Sequence, residues 1–172
     1  MGPAADGSWH LSRRPEESSL AAFEFSLERA MQAYYRWKGA CLAAAGPNGL
    51  TGNDTSVLNV IRMREQPKSL SEIARLLNRD DMSNIQYALR KLAALNLVEK
   101  ADGQARKTTT YRVTATGFAV TERYAELRAT TLLNLLGAAG DQGERRQAAS
   151  DFLDLMAGIY DQAAGLVSTH RY

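Results

Sequence analysis

SLSEIARLLNRDDMSNIQYALRKLAALNLVEKADGQARKTTTYRV, Ser69 to Val113, reads as a helix, a tight turn, a second helix and a short hairpin. Ser69 is followed three places later by Glu72, the hydroxyl–carboxylate spacing that satisfies free backbone N–H groups where a helix starts, so a helix is expected from Leu70. Ile73, Ala74, Leu76 and Leu77 supply its apolar side. Asn78 follows at the exit, where a left-handed conformation is tolerated by Asn better than by most residues. Asp81 is placed to accept from the N–H of Ser83 or Asn84, so a second helix is expected from about Met82 to Leu95. Ile85, Ala88, Leu89 and Leu92 form its inward stripe.

The opposite face of that second helix carries Ser83, Asn84, Gln86, Tyr87, Arg90 and Lys91. Asn and Gln can offer a donor and an acceptor together to adenine in the major groove, while Arg and Lys reach guanine or phosphate. This composition suits a helix laid on double-stranded DNA, with Ser83, Asn84, Gln86 and Tyr87 at base edges and Arg90 and Lys91 on phosphates. A solvated helix face, or a winged module that binds protein, is the competing reading. Val98–Lys100 and Thr109–Thr114 are short, β-branched and alternating, with Asp102-Gly103 between them as a turn signal, so they are expected to pair. The loop of this hairpin carries Arg106 and Lys107, two cations for phosphate.

The run LSEIARLLNRDDMSNIQYALRKLAALNLVEK, followed by YRVTATG, resembles the winged helix-turn-helix domain of the MarR family of bacterial transcription regulators. The matches are the SEIARLL helix, the register Ile85, Leu89 and Leu92, the Leu97-Val98 entry into the wing and the Val113-Thr114-x-x-Gly117 exit. They run from about Leu50 to Gly117; outside that span the resemblance is architectural. It implies a small dimeric regulator that binds operators, with a small, often aromatic, ligand as releasing effector. In two places the chain departs from the family pattern. The family wing commonly holds an Asp one residue away from a bracing Arg; here Arg106 is the Arg and Gln104 stands where the Asp would be. The helix corner usually carries Gly, and here it is Asn78.

Composition bounds the alternatives. The chain has 172 residues, 45% hydrophobic and 23% charged, in the range of a globular domain with a real core. Net charge is only +2, and Ser69–Val113 holds eight Lys/Arg against five Asp/Glu, a mild bias that permits DNA binding without arguing for it. No apolar run approaches the ~20 residues that cross a bilayer, so no membrane partner and a cytoplasmic location are expected. A single cysteine, two histidines near the ends and no phosphate loop or nucleophile motif leave no visible enzymatic chemistry and no cofactor or metal site.

The flanks extend the picture to a mainly α fold with a small β-hairpin wing. Residues 1–17 read as a tail, with Trp9 able to dock, and residues 18–49 as an N-terminal dimerisation helix and linker. That helix places Leu20, Phe23, Leu27, Met31, Tyr34, Trp37 and Cys41 at helical spacing and ends at Gly46-Pro47-Asn48-Gly49. Residues 50–114 form the winged helix-turn-helix, opening with a helix capped by Thr51. Residues 115–172 form two C-terminal dimerisation helices, Ala115–Leu136 and Glu144–Val167, around a Gly-rich corner at Gly137–Gly143. These flanking helices are more apolar than a lone winged domain needs. A homodimer is therefore expected, presenting two reading helices to a pseudo-palindromic operator and excluding polymerase as a repressor.

Two further sets of residues are candidates. Tyr34, Tyr35, Trp37 and Met63 could line an apolar pocket for a small aromatic effector, or could simply be core. Cys41 is either a redox sensor or a small buried hydrophobe.

Overall fold

Hydroxyl–carboxylate pairs set the starts of two central helices. Thr51 Oγ1 accepts from the Asp54 N–H at 3.3 Å and Asp54 Oδ2 accepts from the Thr51 N–H at 2.8 Å, and α2 (Gly52–Arg62) begins there. Ser69 and Glu72 make the same exchange, at 3.3 and 2.7 Å, for α3 (Leu70–Leu76), as the spacing predicts. Each box satisfies two of the N–H groups that a helix start leaves unpaired. In the computed structural model, which describes residues 9–101, 108–140 and 143–169, the chain forms two compact units, Met1–Leu127 and Arg128–Tyr172.

In the first unit, α1 (Pro15–Ala45) starts at Pro15 rather than at the expected Ser18. Proline costs nothing at a first helical position, and Glu17 Oε2 accepts from the N–H groups of Arg13 and Arg14 at 3.0 and 3.1 Å. Trp9 docks edge-on to Phe25 of this helix, with ring centroids 6.0 Å apart. α1 packs on α2 and on α5 (Ala115–Leu127). The crossing with α2 is close enough that a Cβ on Gly52 would lie 2.4 Å from the Tyr35 carbonyl oxygen.

The core sits beneath α4 (Met82–Ala94), where Leu42, Leu58, Ile61, Ile73, Ile85, Leu92 and Leu97 are fully buried. All four residues of the expected α4 stripe, Ile85, Ala88, Leu89 and Leu92, point into it. On α3 the expectation needs one correction: Leu77 packs against the core, but Leu76 is 39% exposed. Asn78 leaves the helix with φ of +49°, the left-handed turn its type permits.

The wing pairs β2 (Val98–Ala101) with β3 (Thr110–Val113) antiparallel, Val98 opposite Val113 and Ala101 opposite Thr110. A third strand joins them. β1 (Lys68–Ser69) lies on the other edge of β3. Two residues are too few to show a period of two, and a lysine argues for solvent. Lys68 is nevertheless buried, because its ammonium donates to the carbonyls of Ile61 at 3.2 Å, Gln66 at 3.0 Å and Met63, closing the end of α2. Arg64 and Glu65, at φ of +61° and +52°, curl the chain around it. That burial lowers the Lys68 pKa.

Thr114 starts α5, its Oγ1 accepting from the Gly117 N–H at 3.0 Å. Gly117 lies against Leu97, whose carbonyl oxygen would be 1.9 Å from any Cβ added there. The helix expected to run to Leu136 ends as a regular α-helix at Leu127. The second unit opens instead with a wide π turn, Arg128–Leu133, followed by α6 (Asn134–Ala138) and α7 (Gly143–Thr169). Thr130 and Thr131 are β-branched, and Asn134 Nδ2 donates to the Thr130 carbonyl at 2.6 Å, giving that oxygen a partner in the loosened turn. On α7, Phe152, Leu155, Ile159 and Leu166 remain between 45% and 59% exposed. Among the described residues no helix is long and apolar enough to cross a membrane.

Candidate nucleic-acid interface

With the inward stripe of α4 fixed in the core, its other side stands in solvent. Ser83, Asn84, Gln86, Tyr87 and Arg90 are all exposed, Tyr87 by 57%. Among the described residues, Ser83 and Gln86 make no side-chain hydrogen bond and Arg90 makes no ion pair. The Arg90 guanidinium lies 5.9 Å from the centre of the Tyr87 ring, so the two side chains form one patch.

Lys91, expected on phosphate, is engaged within the protein. Its ammonium sits 2.6 Å from Asp54 Oδ2 and 3.1 Å from the Gly49 carbonyl, with the Asp54 side chain only 5% exposed. It therefore pins the last turn of α4 to the start of α2. The same Asp54 carboxylate thus caps one helix and anchors another.

Asp81 also differs from expectation. It makes no side-chain bond to the helix N–H groups. Arg79 instead grips its carboxylate through two parallel bonds, Nε to Oδ1 at 2.7 Å and Nη2 to Oδ2 at 2.5 Å, and Asn84 Nδ2 donates to Oδ2 at 3.0 Å. Charge-assisted forked bonds outcompete neutral backbone donors. They hold the Asp81 carboxyl far below the usual carboxylate range, Arg79 first and Asn84 second. Sequence inspection missed this clamp, although an Arg two places before an Asp at a helix start was a usable signal.

Next to α4 the wing adds a second surface. Gln86 and Arg90 of α4, Leu70 of α3 and Lys100 and Tyr111 of the wing line a cleft of about 270 Å³. Glu99 and Arg112 pair across β2 and β3 at 2.7 Å, bracing the hairpin stem. Arg106 and Lys107, with the Asp102-Gly103 turn and Gln104, lie outside the described residues.

The candidate ligand residues differ in exposure. Tyr34 is 56% and Met63 39% exposed, while Trp37 packs partly buried against the core. Tyr34 and Tyr35 instead flank Lys38, whose buried ammonium lies 4.4 and 4.0 Å from their ring centres and donates to Ser56 Oγ at 2.5 Å. Burial, then the nearby Arg79 charge, lowers the Lys38 pKa to about 8. Cys41 is 4% exposed, its Sγ 3.7 Å from the Tyr124 carbonyl, and burial raises its pKa, which disfavours the reactive thiolate.

Residues 50–117, which contain α2, α3, α4 and the three strands, match the family model described as a winged helix DNA-binding domain. The segment is a winged helix domain. No curated protein sequence matches the chain. Among solved structures, the transcriptional repressor CouR bound to a 23-mer DNA duplex is 24% identical, with 78% of this chain and 91% of that chain covered and a TM-score of 0.63. A mutant MarR from E. coli complexed with operator DNA is 17% identical, over 80% of this chain and 95% of that one, with a TM-score of 0.65. The M. tuberculosis transcriptional regulator MosR in complex with DNA is 18% identical, over 81% and 96%, with a TM-score of 0.60. At these identities the likeness is one of fold.

Proposed function

We propose that the chain is a sequence-specific DNA-binding transcription regulator of the MarR type, acting as a homodimeric repressor. The observation that carries this reading is the outer face of α4, where Ser83, Asn84, Gln86, Tyr87 and Arg90 stand exposed on a helix held rigidly from behind. Base-edge contacts fall to Ser83, Asn84, Gln86 and Tyr87, and phosphate contacts to Arg90, Arg106 and Lys107. The DNA bound to the three structural neighbours supports the same reading.

Dimerisation is supported by the apolar side chains left uncovered, Leu20, Met31 and Tyr34 on α1 and, separately, Phe152, Leu155, Ile159 and Leu166 on α7. A second copy is the cover we propose for them. Two-fold symmetric readers bind half-sites about one helical turn apart, roughly 10 bp, or a multiple of that. Selection of duplexes from a random pool, followed by footprinting, tests both points: a pseudo-palindrome with that spacing is expected, and enrichment of no sequence would overturn the reading. Release by a small aromatic ligand belongs to the same proposal, with Tyr34, Trp37 and Met63 as the first positions to substitute. A protein-binding winged helix is the outcome if association shows no dependence on salt.

A further inference from the structure

Gln86, Arg90 and Ala93 recur at helical spacing along the side of α4 that meets the hairpin. On the hairpin, Lys100 stands directly opposite Tyr111, and Val98, two places before Lys100, is buried in the core. Side chains two apart on a strand share a face, so Lys100 and Tyr111 are on the side of the wing turned toward α4. The cleft of about 270 Å³ lies between these two rows.

Its lining has two parts of different chemistry. Leu70 and the buried Leu89 give it an apolar base, and Ala93, with a single methyl group, leaves the space beside them open. Two cations, Arg90 and Lys100, stand exposed along it and, among the described residues, neither makes an ion pair. Glu99 also borders the cleft, but its carboxylate accepts from Arg112 Nε at 2.7 Å, so the two positive charges stay uncompensated. A small anion would use the cations and leave the apolar base uncovered, and an apolar molecule would do the reverse. A deoxyribose phosphate uses both, with the carbon face of the sugar on the leucines and the Tyr111 ring and the phosphate between the cations.

We infer that the cleft between α4 and the wing seats one sugar–phosphate unit of the DNA backbone, with Arg90 and Lys100 converging on the same phosphate. The inference rests on the proposed DNA-binding role of α4 and adds Lys100 to it. Phosphate contacts fix register without carrying sequence, and Gln86 borders the same cleft, so the seat sets how that side chain meets the base edges.

The test uses the full-length protein and a duplex it has selected, in which each phosphate in turn is replaced by an uncharged methylphosphonate. One position is expected to cost the unaltered protein roughly tenfold in affinity, the lower range of bonds to charged groups. At that same position Arg90→Ala and Lys100→Met each lose less, and the double variant loses nothing. Lys100→Met is also expected to lower the slope of log affinity against log salt by about one and to leave the ranking of duplex sequences unchanged. Should Lys100→Met fold poorly, Ala93→Leu fills the cleft with both cations in place and is expected to weaken all duplexes alike. The inference is overturned if Arg90 and Lys100 map to different phosphates, if Lys100→Met keeps the full salt slope and every phosphate sensitivity, or if Ala93→Leu binds undiminished. In each of those cases a duplex is still selected and the proposed function stands. If no duplex is selected at all, the proposed function fails and takes this inference with it.

Discussion

Two aspartates, Asp54 and Asp81, stand at the starts of α2 and α4, and each is bound by a basic side chain, yet the two helix starts work differently. Asp54 closes a capping box with Thr51, is buried, and draws Lys91 in from α4. Asp81 caps no backbone N–H, is partly exposed, and engages Arg79 from the turn and Asn84 from the outer face. The first arrangement joins two helices of the core. The second arranges side chains that face outward. A helix start can therefore tie core helices together or order outward side chains with the same residue type, and the difference lies in which donors reach the carboxylate.

Substitutions should separate the two roles. Asp54→Ala removes a cap and leaves the Lys91 charge without its partner, so a loss of about 2–4 kcal/mol in urea unfolding is expected. A loss no larger than that from Asp81→Ala would erase the contrast. Ser69→Ala, which breaks the other capping box, is expected to cost about 1 kcal/mol by the same assay and leave DNA preference unchanged. Arg90→Ala and Lys91→Met form the sharpest pair. The first should leave stability within about 0.5 kcal/mol and lower the slope of log affinity against log salt by about one, whereas the second should destabilise the fold and keep the slope. A lowered slope for Lys91→Met would return Lys91 to the phosphate contacts.

The smallest expected effect concerns Lys38, which is buried beside two tyrosine rings with its pKa lowered to about 8 from 10.5. Between those values the unfolded chain binds more protons than the folded one, so folding stability contributed by this group rises with pH across that window. Urea midpoints should therefore increase for the unaltered protein relative to Lys38→Met as pH rises from about 8 to 10.5. A constant difference would mean that Lys38 is not desolvated as its burial implies.

Local signals made most of this fold legible in the sequence. The Ser69–Glu72 spacing, Asn78 at the helix exit, the Ile85–Leu92 stripe and the alternating wing strands each act over a few residues, and each is found where its chemistry puts it. What escaped depends on partners far along the chain. Lys91 and Asp54 are 37 positions apart, so the commitment of that ammonium has no local trace. Lys68 is buried because Ile61 at the end of α2 and Met63 and Gln66 in the turn beyond it offer it three carbonyls. At Asp81 the Arg79 guanidinium, two positions away, takes the carboxylate in place of the backbone N–H groups.

The most direct test of the central claim, that the outer face of α4 recognises DNA, is fluorescence anisotropy of the full-length protein and of Gln86→Ala. Each is titrated with duplex DNA from upstream of its own gene and with a scrambled duplex, at several salt concentrations. The account predicts salt-sensitive binding that prefers the upstream duplex, with a preference that Gln86→Ala reduces by the ~1–3 kcal/mol of a base contact. Equal binding to both duplexes, or a preference untouched by Gln86→Ala, would contradict it.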